Sequence, residues 1–223
     1  MDNIKTFENF NNQDIFLSIK NNDIESVKNY IDSGYDLNIK NDDGATPLIY
    51  SVYYNKIKII KLLLNAGAYV DKIDIYGNTA LMWSTYKDNI EIVELLINSG
   101  ADPNKKNNNG NTALSYAIKF SNIEIIKLLL DLVVDIDRQN DNGDTALILA
   151  AYKNDREKVE LLLNYYADEF ILNRFYLSFY DYLNDENKEY FLHKYPTSVY
   201  NAISHEYKKS FTEFVKDYNI KNN

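Results

Sequence analysis

The sequence predicts an all-α protein, a solenoid of helix pairs joined by short β-hairpin loops and closed by a helical, aromatic-rich C-terminal cap. Three observations predict it. The string GNTAL stands at 77–81 and again at 110–114, with GATPL at 44–48 and GDTAL at 143–147, so the step is 33 residues each time. Gly34, Gly67 and Gly100 follow the same step at the ends of IDSG, LNAG and INSG, and with the four loop glycines they account for all 7 glycines of the chain. Between the two series lie strongly amphipathic stretches such as Ile57, Ile59, Ile60, Leu62, Leu63 and Leu64, repeated at Ile90–Ile97 and Ile123–Leu130.

The elements follow in order. Residues 8–40 form an opening unit without the Gly-Thr string, and 1–40 read as an N-terminal cap. Four full units occupy 41–73, 74–106, 107–139 and 140–169. In each, Thr46, Thr79, Thr112 or Thr145 starts a short helix, because its side-chain oxygen can accept from the free N–H groups of the first turn. Pro47 fits just inside such a start, where its missing N–H has no partner to lose. The longer helix that follows carries apolar residues on more than one stripe, which calls for cover from two sides. Gly34, Gly67 and Gly100 then stop it, since the chain must turn there through a left-handed conformation.

Two units depart from this plan. Val133-Val134 replaces the Gly-Ala after the third long helix, which predicts a reshaped turn at 131–135, because Val tolerates positive φ poorly. In the fourth unit, Tyr166-Ala167 takes that place, and Arg156 and Lys158 stand where inner units have Ile or Val, predicting a less covered face. The register is expected to end near Asp168. Residues 170–223 then hold 14 of the 31 aromatics and no glycine. Residues 173–195 can form a degenerate fifth helix pair, and 197–219 place Val199, Ile203, Tyr207, Phe211, Phe214 and Tyr218 on one helical face. This segment reads as a cap over the apolar end of the stack or, alternatively, as a helix that docks onto a partner.

A 33-residue period with G-x-T-P-L opening a helix pair, and LLLNAGAYVD or LLINSGADPN closing it, resembles the ankyrin repeat. The resemblance covers residues 41–169, with a weaker copy at 8–40. The family's His after T-P-L is here Ile49, Met82, Ser115 and Ile148, so the bonds it makes between loops must be absent or made by other groups.

Composition excludes several classes of function. The formal charge of −9 argues against a binder of phosphate backbones, and it lies wholly in residues 1–169, since 170–223 hold seven charges of each sign. The absence of cysteine removes disulfides and thiolate chemistry. No apolar run is long enough to span a membrane, and the N-terminus lacks the apolar core of a secretory signal, which leads us to expect an intracellular, cytoplasmic protein, with export by a signal-less route left open. His193 and His205 are the only histidines and have no metal-ligand spacing. Every glycine is committed to a turn, so no phosphate-cradling loop remains. No catalytic, metal or cofactor residues are assigned. An unrecognised enzyme site in 170–223 is the least favoured reading.

What remains is a binding surface. Repeat stacks present an extended concave face of loop tips and short-helix edges. The family resemblance implies that partners meet the two residues before the loop Gly, the one after it and the two ending the short helix. Here those are Asp42, Asp43, Ala45, Tyr53 and Tyr54; Ile75, Tyr76, Asn78, Tyr86 and Lys87; Asn108, Asn109, Asn111, Lys119 and Phe120; and Asp141, Asn142, Asp144, Tyr152 and Lys153. Six are aromatic, the residue type that dominates interface hot spots. The expectation is a monomeric, non-enzymatic module that binds another protein through this face. The alternative is an adaptor whose helix at 197–219 docks to a complex while the repeats select a target.

Overall fold

A computed structural model describes residues 12–132 and 134–195, with only the backbone at 12–14. The chain divides into two compact units, residues 1–108 and 109–223.

The first unit contains three helix pairs: α1 (Asn12–Asn21) with α2 (Ile24–Asp32), α3 (Pro47–Tyr53) with α4 (Ile57–Asn65), and α5 (Ala80–Tyr86) with α6 (Ile90–Asn98). The short helices α1, α3 and α5 pack side by side, and α2 lies against α4. Thr46 and Thr79 cap α3 and α5 as expected, their Oγ1 atoms accepting from Ile49 N and Met82 N at 3.3 Å. The core is one continuous apolar layer in which Ile19, Val27, Val52, Ile59, Ile60, Leu63, Ile92, Val93 and Leu96 are fully buried. On the longer helices full cover reaches only this stripe, whereas Ile57, Leu62 and Leu64 are half-buried. Asn22, Asn55 and Asp88 turn the chain between the helices of each pair with φ of 59°, 56° and 53°. Sequence reading did not assign this turn.

The loops are bonded turns, and no residue among those described is in a strand, so the β-hairpins expected between pairs form no sheet. Neighbouring loops are joined by single backbone bonds, Ile75 N to Asp43 O and Asn108 N to Tyr76 O. Within each loop an acceptor side chain holds the tip. Asp74 Oδ1, for example, accepts from Tyr76 N at 2.9 Å and from Asn78 N at 2.8 Å. The link between loops that the missing His leaves open is made by amides, as Asn107 Nδ2 donates to Asn78 Oδ1 at 2.8 Å.

The second unit contains α7 (Ala113–Phe120) with α8 (Ile123–Leu130), α9 (Ala146–Tyr152) with α10 (Arg156–Asn164), a 3-10 helix at Phe179–Tyr182, and α11 (Asp185–Lys194). Thr112 and Thr145 cap α7 and α9. The turn after α8 is reshaped. Helix α4 ends with Ala68 N donating to Leu63 O, whereas the equivalent Val134 N donates to Leu132 O, and α8 stops one residue earlier in the register. After α10 the ordinary turn survives because Tyr166 adopts φ 62° in the place of a glycine, with its ring 91% exposed.

The 33-residue register also runs past Asp168. Asn173 Oδ1 accepts from Phe175 N and Leu177 N as the earlier loop residues do, Tyr176 takes φ 61° in the place of the loop glycine, and Arg174 N donates to Asn142 O. The degenerate fifth pair is thus the 3-10 helix followed by α11, which buries Phe179, Leu183 and Phe191. Helix α10 has the less covered face expected of it, burying Val159 and Leu162 where α4 and α6 bury three residues each, but both of its cations there are bonded. Arg156 Nε donates to Asn187 Oδ1 at 2.7 Å with its guanidinium 4.4 Å from the Tyr190 ring, and Lys158 Nζ donates to Ile118 O at 3.0 Å. The segment 197–219 lies outside the described residues.

A second 33-residue series, Asn38, Asp71, Asn104 and Asp137, has a consequence for stability. Asn38 Oδ1 accepts from Tyr69 N at 2.9 Å, and Asp137 Oδ1 accepts in the same way from Asp168 N at 2.8 Å. Burial pushes the Asp137 carboxyl above its ordinary value; the bond from Asp168 N opposes this, and the charges of Asp168, Asp135 and Glu169 add to it. A carboxyl raised in the folded state favours folding when protonated and loses that advantage as pH rises through its folded value. Asp137→Asn keeps the acceptor and removes the charge. Near neutral pH it should stabilise the protein by a few tenths to about 1 kcal/mol after solvent screening, and urea unfolding below the carboxylate range should show no such gain.

Candidate protein-binding edge

The C-terminal ends of α3 and α5 and the two adjoining loop tips enclose an open cleft of about 310 Å³ in the first unit. Its walls are Asp43, Ala45, Tyr53, Tyr54 and Tyr76 from the predicted set, together with Ile49, Tyr50, Asp74 and Trp83. The rings form a connected run. Tyr50 meets Tyr54 at 4.8 Å between centroids, Tyr54 meets Tyr53 at 5.2 Å, Tyr53 meets Trp83 edge-on at 5.4 Å, and Trp83 meets Tyr86 edge-on at 5.6 Å. Lys87 Nζ stands 4.0 Å from the centroid of Tyr53, a cation over a ring face. Tyr53, Tyr76 and Tyr86 are 43%, 62% and 42% exposed. Asp42 is exposed at the loop tip outside the cleft walls.

Trp83 and Asp74 anchor this run. Trp83 Nε1 donates to Asp74 Oδ2 at 2.8 Å while Asp74 Oδ1 holds the loop, so one buried carboxylate ties ring and tip together. Burial, and then the hydrogen bond with Tyr54, push the Tyr50 hydroxyl up to about 12.

The second unit repeats the cleft 99 residues further along, with a volume of about 380 Å³. Tyr152, Lys153, Asn142, Phe175 and Tyr182 take the places of Tyr53, Tyr54, Asp43, Tyr76 and Trp83. Lys119, Phe120, Asp144, Ile148 and Leu149 complete the wall. Tyr152 and Tyr182 meet at 5.7 Å, repeating the Tyr53–Trp83 contact.

The structure therefore brings most of the sequence-assigned edge residues to two equivalent clefts. Ala45 lines the first cleft with little area in solvent, and Asn78 is buried and bonded to the next loop. Asp144 is half-buried and accepts from Asn173 Nδ2 at 2.9 Å. Tyr50, Trp83, Phe175 and Tyr182 were missed. A signal was present, because Tyr50, Trp83, Tyr116 and Tyr182 all stand four residues after the Thr or Ser that caps their helix.

Comparison with protein families decides the identity of these repeats. The family described as "Ankyrin repeats (3 copies)" matches residues 15–107 and again 88–173. The chain belongs to the ankyrin repeat family. Its matched span begins in α1 and ends at Asn173, so the opening pair and the first residues of the fifth loop are ankyrin repeat sequence. No match was found among curated proteins. Ankyrin repeats are in general protein–protein interaction modules and usually carry no catalysis. Among the described residues of this ankyrin protein, no group of three or more His, Cys, Asp or Glu is placed to hold a metal ion. Among those residues no helix is long and apolar enough to cross a membrane.

Proposed function

We propose that this ankyrin protein is a non-enzymatic interaction module that binds another protein through the loop tips and short-helix ends of its repeats. The observation that carries the reading is the ring run Tyr54, Tyr53, Trp83, Tyr86. These rings are braced edge-on against one another, and Tyr53 and Tyr86 keep much of their area in solvent. Tyrosine and tryptophan lose little conformational entropy when they bury large areas, and bracing in the free protein reduces that loss further. The recurrence of a cleft in the second unit supports the reading, because three ring positions are kept, Tyr53, Tyr76 and Trp83 matching Tyr152, Phe175 and Tyr182, while Tyr54 gives way to Lys153 and Asp43 to Asn142.

Tyr53→Ala and Tyr86→Ala should each weaken capture of a partner about tenfold or more, with thermal unfolding little changed for Tyr86→Ala. Capture that is indifferent to both substitutions would remove the aromatic run from the interface.

A further inference from the structure

The second cleft differs from the first in charge. In the series Tyr53, Tyr86, Lys119, Tyr152 a lysine replaces one ring, and in the series Tyr54, Lys87, Phe120, Lys153 another lysine enters the same cleft. Both ammonium groups line it, and among the described residues neither side chain forms an ion pair, a hydrogen bond or a ring contact. This contrasts with Lys87, which rests on Tyr53, and with Lys158, which is bonded to Ile118 O and Asp155. Lys119 is the more enclosed of the two. Burial pushes its ammonium below the ordinary lysine value, with Lys153 adding to the shift and Asp144 opposing it. Asp144 lines the same cleft and attracts Lys119 without pairing with it, its Oδ1 accepting instead from Asn173 Nδ2 at 2.9 Å, so one carboxylate stands against two ammonium groups.

Lys119 is partly stripped of water and is repelled by the exposed Lys153, and a carboxylate placed between the two relieves both penalties. The rest of the wall combines Asn142 and the half-buried Asp144 with apolar and aromatic residues, of which Phe120, Tyr152 and Phe175 are exposed by 49%, 67% and 68%. We propose that the second cleft binds an Asp or Glu side chain of an extended segment of a partner protein, with an adjacent apolar residue seated on Tyr152 and Phe175. This rests on the reading of the edge as partner-facing and adds the chemistry of what one part of it selects. A nucleic acid strand is the poorer occupant, because the chain as a whole carries −9 and would repel a polyanion along its length.

The test is selection of a displayed library of random dodecapeptides on the intact chain, followed by fluorescence anisotropy of the enriched peptides with the wild type and variants. The expected peptides carry Asp or Glu beside an aromatic or aliphatic residue. Lys119→Gln with Lys153→Gln should weaken them about tenfold, and replacing the peptide's acid by its amide should cost the wild type a similar factor and the double variant little more. Glu94→Gln, exposed on α6 and outside both clefts, should leave these peptides unaffected. Enriched peptides that depend on Tyr53 and Trp83 and ignore both lysines would overturn the carboxylate assignment and leave the interaction function standing. A dimer of the chain that the double lysine variant dissolves would overturn it in favour of a second copy as occupant. If no enriched peptide depends on any edge residue, this inference and the proposed function fall together.

Discussion

Trp83→Ala should lower the free energy of unfolding by about 3 kcal/mol, read as a shift of the urea midpoint at unchanged slope. Three losses combine. The ring gives up edge-on contacts with Tyr53 at 5.4 Å and Tyr86 at 5.6 Å, each worth about 0.5–1.5 kcal/mol in favourable cases. Asp74 Oδ2 loses the indole donor at 2.8 Å in a site only 6% exposed, and a buried acceptor deprived of its partner costs roughly 1–3 kcal/mol. The packing beneath the ring is emptied as well. Trp83→Phe keeps most of the contact area and removes only the donor, so it should fall about halfway. A loss below about 1 kcal/mol for the alanine variant would show that Trp83 is a surface ring and not the brace between loop and helix.

Gly44→Ala should be the more damaging of two glycine substitutions that look alike in the sequence. Gly44 has φ 69°, and a Cβ there would lie 2.7 Å from Ile75 Cγ2 and 2.8 Å from Ile75 N, the atom that donates to Asp43 O. The new methyl must therefore push the next loop away and stretch the bond that joins them. Backbone strain of roughly 1 kcal/mol and overpacking of about 1–3 kcal/mol act together. Gly67 has φ 89° but no atom within 4 Å of its added Cβ, so Gly67→Ala should cost only the strain, about 1 kcal/mol. Equal losses at the two positions would contradict close loop stacking in the first unit.

These two cases show which parts of the structure were legible in the sequence. Helix starts were, because a Thr cap is local chemistry: Thr46, Thr79, Thr112 and Thr145 all accept from the N–H three residues on. Stops at glycine were legible for the same reason. Tyr166 and Tyr176 were not, since tyrosine has no preference for positive φ and is held there by the bonds of the surrounding turn. The fifth pair was blurred by a shortened first helix, four residues of 3-10 geometry where earlier units have seven or eight of α-helix. At the edge, the family resemblance offered Tyr53, Tyr54, Tyr76, Tyr86, Phe120 and Tyr152 to a partner, and in the structure all but Tyr86, which meets Trp83, line the two open clefts. Trp83 and Tyr50 were overlooked because their helical positions count as inward-facing, and only rings that large reach from the core side into the cleft. The burial of Ala45 and Asn78 was not legible, because it depends on the neighbouring loop, to which Asn78 is bonded through Asn107.

The central claim is that the repeats bind through their aromatic edge. The most direct test is quantitative affinity capture with three baits: the intact chain, a variant with Tyr53, Tyr54, Tyr86 and Phe120 changed to alanine, and a chain lacking 197–219, each checked for an unaltered helical signal. The intact and shortened baits should retain the same proteins, and the alanine variant should lose them. If the alanine variant retains them while the shortened chain loses them, the edge is not the binding surface and the C-terminal segment is.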